Sequence, residues 1–171
     1  MNENTRIVLT GFMGVGKSTV AKCLSYILRA ERLDLDRVIE QAEARSIPEI
    51  IESEGEAEFR KIETETLRKI LAETDARIIA LGGGAWITPP NRQLIKSHNC
   101  VSVWLESSFE HCWRNISSSK QRRPLAMSKS LAQNLFHERQ KFYCLADWHL
   151  IVEPQLTSFE IAKKIAEEIL A

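Results

Sequence analysis

An α/β fold, a three-layer αβα sandwich on a five-stranded parallel sheet, is predicted by three features of the 171-residue sequence. Short apolar runs without polar alternation, such as Ile7-Val8-Leu9 and Ile78-Ile79-Ala80-Leu81, have the pattern of strands buried on both faces. Longer stretches of helical periodicity separate them, and no internal repeat interrupts the alternation. At 44% apolar residues the chain is sized for one domain spanning 1–171, burying roughly two thirds of the surface its unfolded form exposes.

In chain order, strands are expected at 6–10, 32–35, 77–81, 100–105 and 149–152, the second being too short to assign on pattern alone. Helices are expected at 17–30, 38–45, 48–53, 57–73, 90–97, 109–117, 130–146 and 158–170. The last carries Phe159, Ile161, Ala162, Ile165, Ala166, Ile169 and Leu170 at helical spacing, the stripe of a helix laid against a sheet. Residues 117–128, Ser-Ser-Ser-Lys-Gln-Arg-Arg-Pro-Leu-Ala-Met-Ser, are polar, basic and broken by Pro124. By itself the segment is a solvated loop; beside a nucleotide site it reads as a mobile lid.

Composition narrows the partners. The 23 basic and 23 acidic side chains cancel, so no global field draws the chain to nucleic acid or an anionic membrane, and any anion must be held locally. Residues 1–6 lack the pattern of a secretory signal, and no apolar run approaches the ~20 residues that span a bilayer. Cys23, Cys100, Cys112 and Cys144 are widely spaced, without a Cys-x-x-Cys pair, and read as reduced thiols of a cytosolic protein. A cytoplasmic monomer is expected. His98, His111, His137 and His149 share no spacing that suggests a metal or a relay. Of Trp86, Trp104, Trp113 and Trp148, read as packing residues, only Trp86 stands where it would border a site.

The strongest chemical signal is Gly11-Phe-Met-Gly-Val-Gly16-Lys17-Ser18-Thr19, the Walker A spacing set between a buried strand and an apolar-striped helix. Glycines let successive amide hydrogens turn toward one phosphate chain, and the helix start adds favourable partial charge. ATP is therefore expected on Gly14, Val15, Gly16, Lys17, Ser18 and Thr19, with Lys17 reaching the β- and γ-phosphates and the Ser18 hydroxyl on Mg²⁺. A phosphate loop alone does not separate kinase, GTPase and motor. The chain is too short for the added domains of most motors and carries no Asn-Lys-x-Asp segment for reading guanine.

The remaining motifs, by order and spacing, resemble the shikimate kinase family, a nucleoside-monophosphate-kinase-like branch of the P-loop small-molecule kinases. They are Leu33-Asp34-Leu35-Asp36, Ser46-Ile-Pro-Glu-Ile-Ile51, Gly55-Glu-Ala-Glu-Phe-Arg60-Lys-Ile-Glu63, Leu81-Gly82-Gly83-Gly84-Ala85, Arg122-Arg123-Pro124-Leu125, and Glu138-Arg139 with Tyr143 and Ala146-Asp147 downstream. The resemblance implies a P-loop kinase fold with a substrate-binding helical segment at about 36–63 and a lid at about 114–128. It implies transfer of the γ-phosphoryl group of ATP to the 3-hydroxyl of shikimate, giving shikimate 3-phosphate and ADP in aromatic amino acid biosynthesis. By the same resemblance Asp34 lies behind Mg²⁺, and Asp36 holds the substrate hydroxyls and accepts the proton. Arg60 and Arg139 clamp the carboxylate, Glu63 orients Arg60, Gly82, Gly83 and Gly84 form the turn under the ring, and Arg123 descends from the lid onto the phosphates.

Elementary chemistry suits these residue types. Phosphoryl transfer needs positioning and charge neutralisation, and each guanidinium can grip a carboxylate by two parallel hydrogen bonds. A carboxylate at the C-terminal end of a parallel strand stands at the rim where ligands bind. Ordinary readings stay open residue by residue: Arg60 and Glu63 as a helix-surface pair, Asp36 as the cap of a helix starting near Val38, Arg139 as part of a solvated face, and the glycines as a strand-ending turn. A kinase of another polyol acid such as gluconate, or a nucleotide-gated regulator, would share the phosphate loop. Val152-Glu153-Pro154-Gln155-Leu156 departs from the family's adenine-contacting pattern, which leaves those contacts unassigned, with Arg114 as the one stacking side chain nearby.

Overall fold

The computed structural model describes residues 5–120 and 128–169. Among these, β1 (Ile7–Thr10), β2 (Arg32–Asp34), β3 (Ile78–Ala80), β4 (Val101–Glu106) and β5 (Trp148–Ile151) form one parallel sheet in the order β2-β3-β1-β4-β5. Every residue of β1 and β3 is buried, as central strands require when helices cover both faces, whereas the edge strands β2 and β5 remain partly open. From β1 the chain passes to the edge strand β2 on one side, and from β3 it crosses past β1 to β4 on the other. The crevice beyond the C-terminal end of β1 is therefore a topological switch point, the place where open α/β sheets bind ligands.

The helices are α1 (Lys17–Leu28), α2 (Leu35–Glu43), α3 (Ile47–Glu54), α4 (Glu56–Glu73), α5 (Pro89–Ser97), α6 (Phe109–Ser118), α7 (Lys129–Tyr143) and α8 (Ser158–Ile169), with a 3₁₀ turn at Ala85–Ile87. Helix α8 buries Ile161, Ala162, Ile165 and Ile169 and packs on α1, as its stripe predicts, while Phe159 remains exposed. Helix α3 starts with a capping box: the Ser46 hydroxyl accepts from the Glu49 amide and the Glu49 carboxylate accepts from the Ser46 amide.

Two boundaries depart from the sequence reading by three residues. Helix α2 begins at Leu35 rather than near Val38, because Asp34, not Asp36, is its cap; the Asp34 carboxylate accepts from the Arg37 amide at 3.4 Å. Asp36 falls in the first turn and is released from capping. Helix α7 ends at Tyr143 rather than 146, because Asp147 turns back to accept from the Ser102 amide at 2.8 Å and the Ser102 hydroxyl at 2.6 Å, fixing the entry to β5.

Arg6 is a stability determinant in the same sense. Its guanidinium donates to the carbonyls of Ile70 and Leu71 in the last turn of α4 and of Ala76 before β3 at 2.8–3.3 Å, tying the start of β1 to the end of that helix. Arg6→Ala is expected to cost about 2 kcal/mol in a urea titration, since charged donors to partly buried carbonyls contribute more than neutral ones.

Candidate active site

The phosphate loop joins β1 to α1. Gly14 adopts φ +81°, and a β-carbon there would stand 2.5 Å from the Cys112 carbonyl oxygen of α6, so neither the backbone angle nor the space admits a side chain. Gly16 has open space around it but φ +101°, so backbone conformation alone demands glycine there. Lys17 is 8% exposed, and its ammonium donates to the carbonyls of Gly11 at 2.8 Å and Phe12 at 3.1 Å. That holds a full positive charge at the start of α1.

The Ser18 hydroxyl donates to the Asp34 carboxylate, joining the first turn of α1 to the end of β2. A hydroxyl and a carboxylate converging beside a phosphate loop form a hard oxygen donor set, which fits Mg²⁺. Among the described residues no group of three or more His, Cys, Asp or Glu gathers to hold a metal ion. Two protein oxygens suit an ion that completes its shell with water and substrate phosphates.

A single cleft of about 830 Å³ takes in the phosphate loop, Asp34, Asp36, Arg60, Glu63, the glycine turn and Arg139. Each member of the glycine triplet lies under one of the expected site residues. A β-carbon on Gly82 would run into the Asp36 carboxylate, and one on Gly84 into the Arg60 guanidinium. One on Gly83 would stand 3.4 Å from Arg139 Nη1 and 3.2 Å from the Met13 amide of the phosphate loop. The glycines are thus the floor on which the acid and both arginines rest.

Electrostatics differentiates these groups. Burial, with the Asp34 charge nearby, raises the Asp36 carboxyl to about 6 against the pull of Lys17; Glu40 adds to the rise and Arg60 opposes it. Arg60 donates to both Glu63 carboxylate oxygens at 2.8–2.9 Å and to Glu56 at 3.2 Å. Burial disfavours its charge, yet the facing carboxylates outweigh that and hold its pKa above the usual guanidinium value. Glu63 is only 1% exposed, and burial pushes its carboxyl up to about 7 while Arg60 pulls the other way. The pair is therefore no solvated surface bridge. Arg139 is 6% exposed and faces the cleft from α7.

Several expectations shift. Residues 121–127, Arg123 and the middle of the expected lid among them, lie outside the described residues. Arg114 is exposed and does not line the cleft; α6 instead presents His111 and Asn115, one helical turn apart, with Ser119 capping its end. Asn115 donates to the Gly14 carbonyl at 2.7 Å, tying α6 to the phosphate loop. Only the i, i+4 repeat of polar residues could have indicated that face. Trp86 does not border the cleft: it is buried, its indole donating to the Phe142 carbonyl at 2.9 Å. Val152, Leu156 and Ile161 give the end of the cleft near α8 an apolar wall.

Comparison with known proteins agrees with this geometry. The shikimate kinase family profile matches residues 13–170. A shikimate kinase of Streptococcus thermophilus is 41% identical over 162 residues, covering 92% of this chain and 96% of that one. One of Lactococcus lactis subsp. cremoris is 41% identical over 163 residues, covering 95% and 96%. Among solved structures, shikimate kinase from Acinetobacter baumannii in complex with shikimate superposes with a TM-score of 0.89 at 32% identity, over 97% of this chain and 93% of that one. Shikimate kinase from Aquifex aeolicus gives 0.82 at 35% identity, over 97% and 96%. With sequence match and superposition both running nearly end to end, this chain belongs to the shikimate kinase family.

Proposed function

We propose that the chain catalyses ATP-dependent phosphorylation of shikimate at its 3-hydroxyl, releasing ADP and shikimate 3-phosphate. The observation that supports this most is the convergence of Asp36, Arg139 and Arg60 on three successive glycines in the cleft that also holds the phosphate loop. Arg60, oriented by Glu63, and Arg139 grip the substrate carboxylate. The ring rests on Gly82, Gly83 and Gly84, and the reacting hydroxyl faces Asp36.

As the substrate oxygen bonds to the γ-phosphorus, the bond from that phosphorus to the bridging oxygen of ADP breaks. The hydroxyl proton passes to the Asp36 carboxylate. A carboxyl with a pKa near 6 is charged at neutral pH yet basic enough to take that proton. Lys17 and the loop amides, from Gly14 to Thr19, bind the phosphates and neutralise the departing charge. Bound Mg²⁺, beside Ser18 and Asp34, would supply further neutralisation of the phosphate oxygens. Arg123 belongs to the same proposal, descending from a lid at about 114–128 that excludes water. The base of ATP is assigned to the part of the cleft lined by Val152, Leu156 and Ile161, an apolar surface suited to a flat ring.

The enzyme is proposed to act as a monomer in the cytoplasm without nucleic-acid or membrane partners, a reading supported by its balanced charge and unpaired cysteines. Among the described residues no helix is long and apolar enough to cross a membrane.

A coupled ADP-release assay across shikimate, gluconate and nucleoside monophosphates tests the proposal. ADP release dependent on shikimate is expected; release with gluconate alone would reassign the acceptor, and none with any acceptor would favour a nucleotide-gated regulator. A finer check is Gly82→Ala. The new methyl meets the Asp36 side chain rather than backbone, so the melting temperature should hold while kcat falls about 10²-fold, the cost of a displacement near 1 Å at a reacting group.

A further inference from the structure

We infer that Tyr143 is a positioning residue that locks Arg139 to the glycine turn and so sets where the substrate carboxylate lies relative to the phosphate loop. The inference rests on the proposed reaction and assigns a role to a side chain that touches neither substrate nor nucleotide in it.

Tyr143 is wholly buried at the last position of α7, one helical turn beyond Arg139. Its hydroxyl donates to the Gly83 carbonyl. Burial carries the phenol pKa up to about 12, although the nearby Arg139 charge pulls it down. The phenol therefore remains protonated, a permanent donor to the Gly83 carbonyl against which Arg139 packs. Gly83 packs within 3.4 Å of Arg139 Nη1 on one side and 3.2 Å of the Met13 amide on the other, as judged from its β-carbon position. One hydroxyl thus joins the carboxylate clamp, the floor of the acceptor site and the edge of the phosphate cradle. Burying a tyrosine where phenylalanine would pack equally well costs desolvation of the hydroxyl, which only a specific pair of partners offsets.

Tyr143→Phe removes the hydroxyl and keeps the ring. The KM for shikimate should rise about 10-fold while the KM for ATP stays within about twofold, the size expected for one hydrogen bond involving a charged group. A merely structural role would lower the folded fraction, and with it kcat, but leave KM unmoved. A double-mutant cycle supplies the second readout: in an Arg139→Ala background the same Tyr143→Phe change should leave the KM for shikimate unaltered, because the group it positions is gone. An unshifted KM in the single variant, or equal shifts in both backgrounds, would overturn the role of Tyr143 while wild-type turnover kept the reaction itself intact. Wild-type protein without turnover on shikimate would overturn both.

Discussion

Lys17→Met is expected to lower kcat about 10³-fold, with the fold retained, because the ammonium at the start of α1 is a charge that the transferring phosphoryl group meets as the bond to ADP breaks. Methionine matches the length and flexibility of the lysine stem, so the 8% exposed site stays filled. What is lost is the donor now resting on the Gly11 and Phe12 carbonyls, 2.8 and 3.1 Å away. In the protein without nucleotide those contacts cost roughly 1–2 kcal/mol to remove, and water replaces part of that. A steady-state assay with a thermal melt separates the outcomes: a collapse of kcat at nearly unchanged melting temperature is the expected pattern.

Asp36→Asn should act on catalysis and stability in opposite directions. Loss of the proton acceptor is expected to lower kcat by about 10³-fold, within the usual range for a positioned general base. Folding behaves otherwise, because the Asp36 carboxyl is raised from 3.8 to about 6 on folding. Between these values the folded state binds more protons than the unfolded state, so Asp36 makes the wild type lose stability as pH rises from about 4 to about 6. Above pH 6 the penalty is complete, on the order of 2–3 kcal/mol. Asn carries no such charge, so the variant should melt higher than wild type at pH 8 and equal to it below about pH 4. The same titration should appear as an acid limb near pH 6 in wild-type kcat/KM. A variant less stable than wild type at pH 8 would contradict this account of the acid's surroundings.

How much of the site was legible in the sequence follows from how local each part is. The phosphate loop was, because its glycines, lysine and serine sit within nine consecutive residues and their spacing is the mechanism. The glycine triplet was legible as a turn, but that Gly82, Gly83 and Gly84 each accept one side chain from α2, α7 and α4 is a tertiary fact. In Leu33-Asp34-Leu35-Asp36 the sequence suggests Asp36 as the helix cap, but the Arg37 amide bonds Asp34 instead, and the Ser18 hydroxyl of α1 holds that carboxylate as well, a contact that only the fold brings about. The face of α6 was not legible for the same reason. Which of Arg114 and Asn115 meets the nucleotide end depends on how closely α6 approaches Gly14, and that approach is set by the missing side chain at Gly14. Trp86 was misplaced because a residue just after a glycine turn can continue into the cleft or fold into the core. Its indole finds the Phe142 carbonyl of α7, which the sequence places 56 residues away.

A crystal structure with a non-hydrolysable ATP analogue and shikimate bound together would measure the central geometry directly. The predicted result is the shikimate carboxylate between Arg60 and Arg139, its ring on Gly82 to Gly84, its 3-hydroxyl at the Asp36 carboxylate and in line with the γ-phosphate on the Lys17 loop. Shikimate bound elsewhere, or bound with its hydroxyls turned from Asp36, would contradict it.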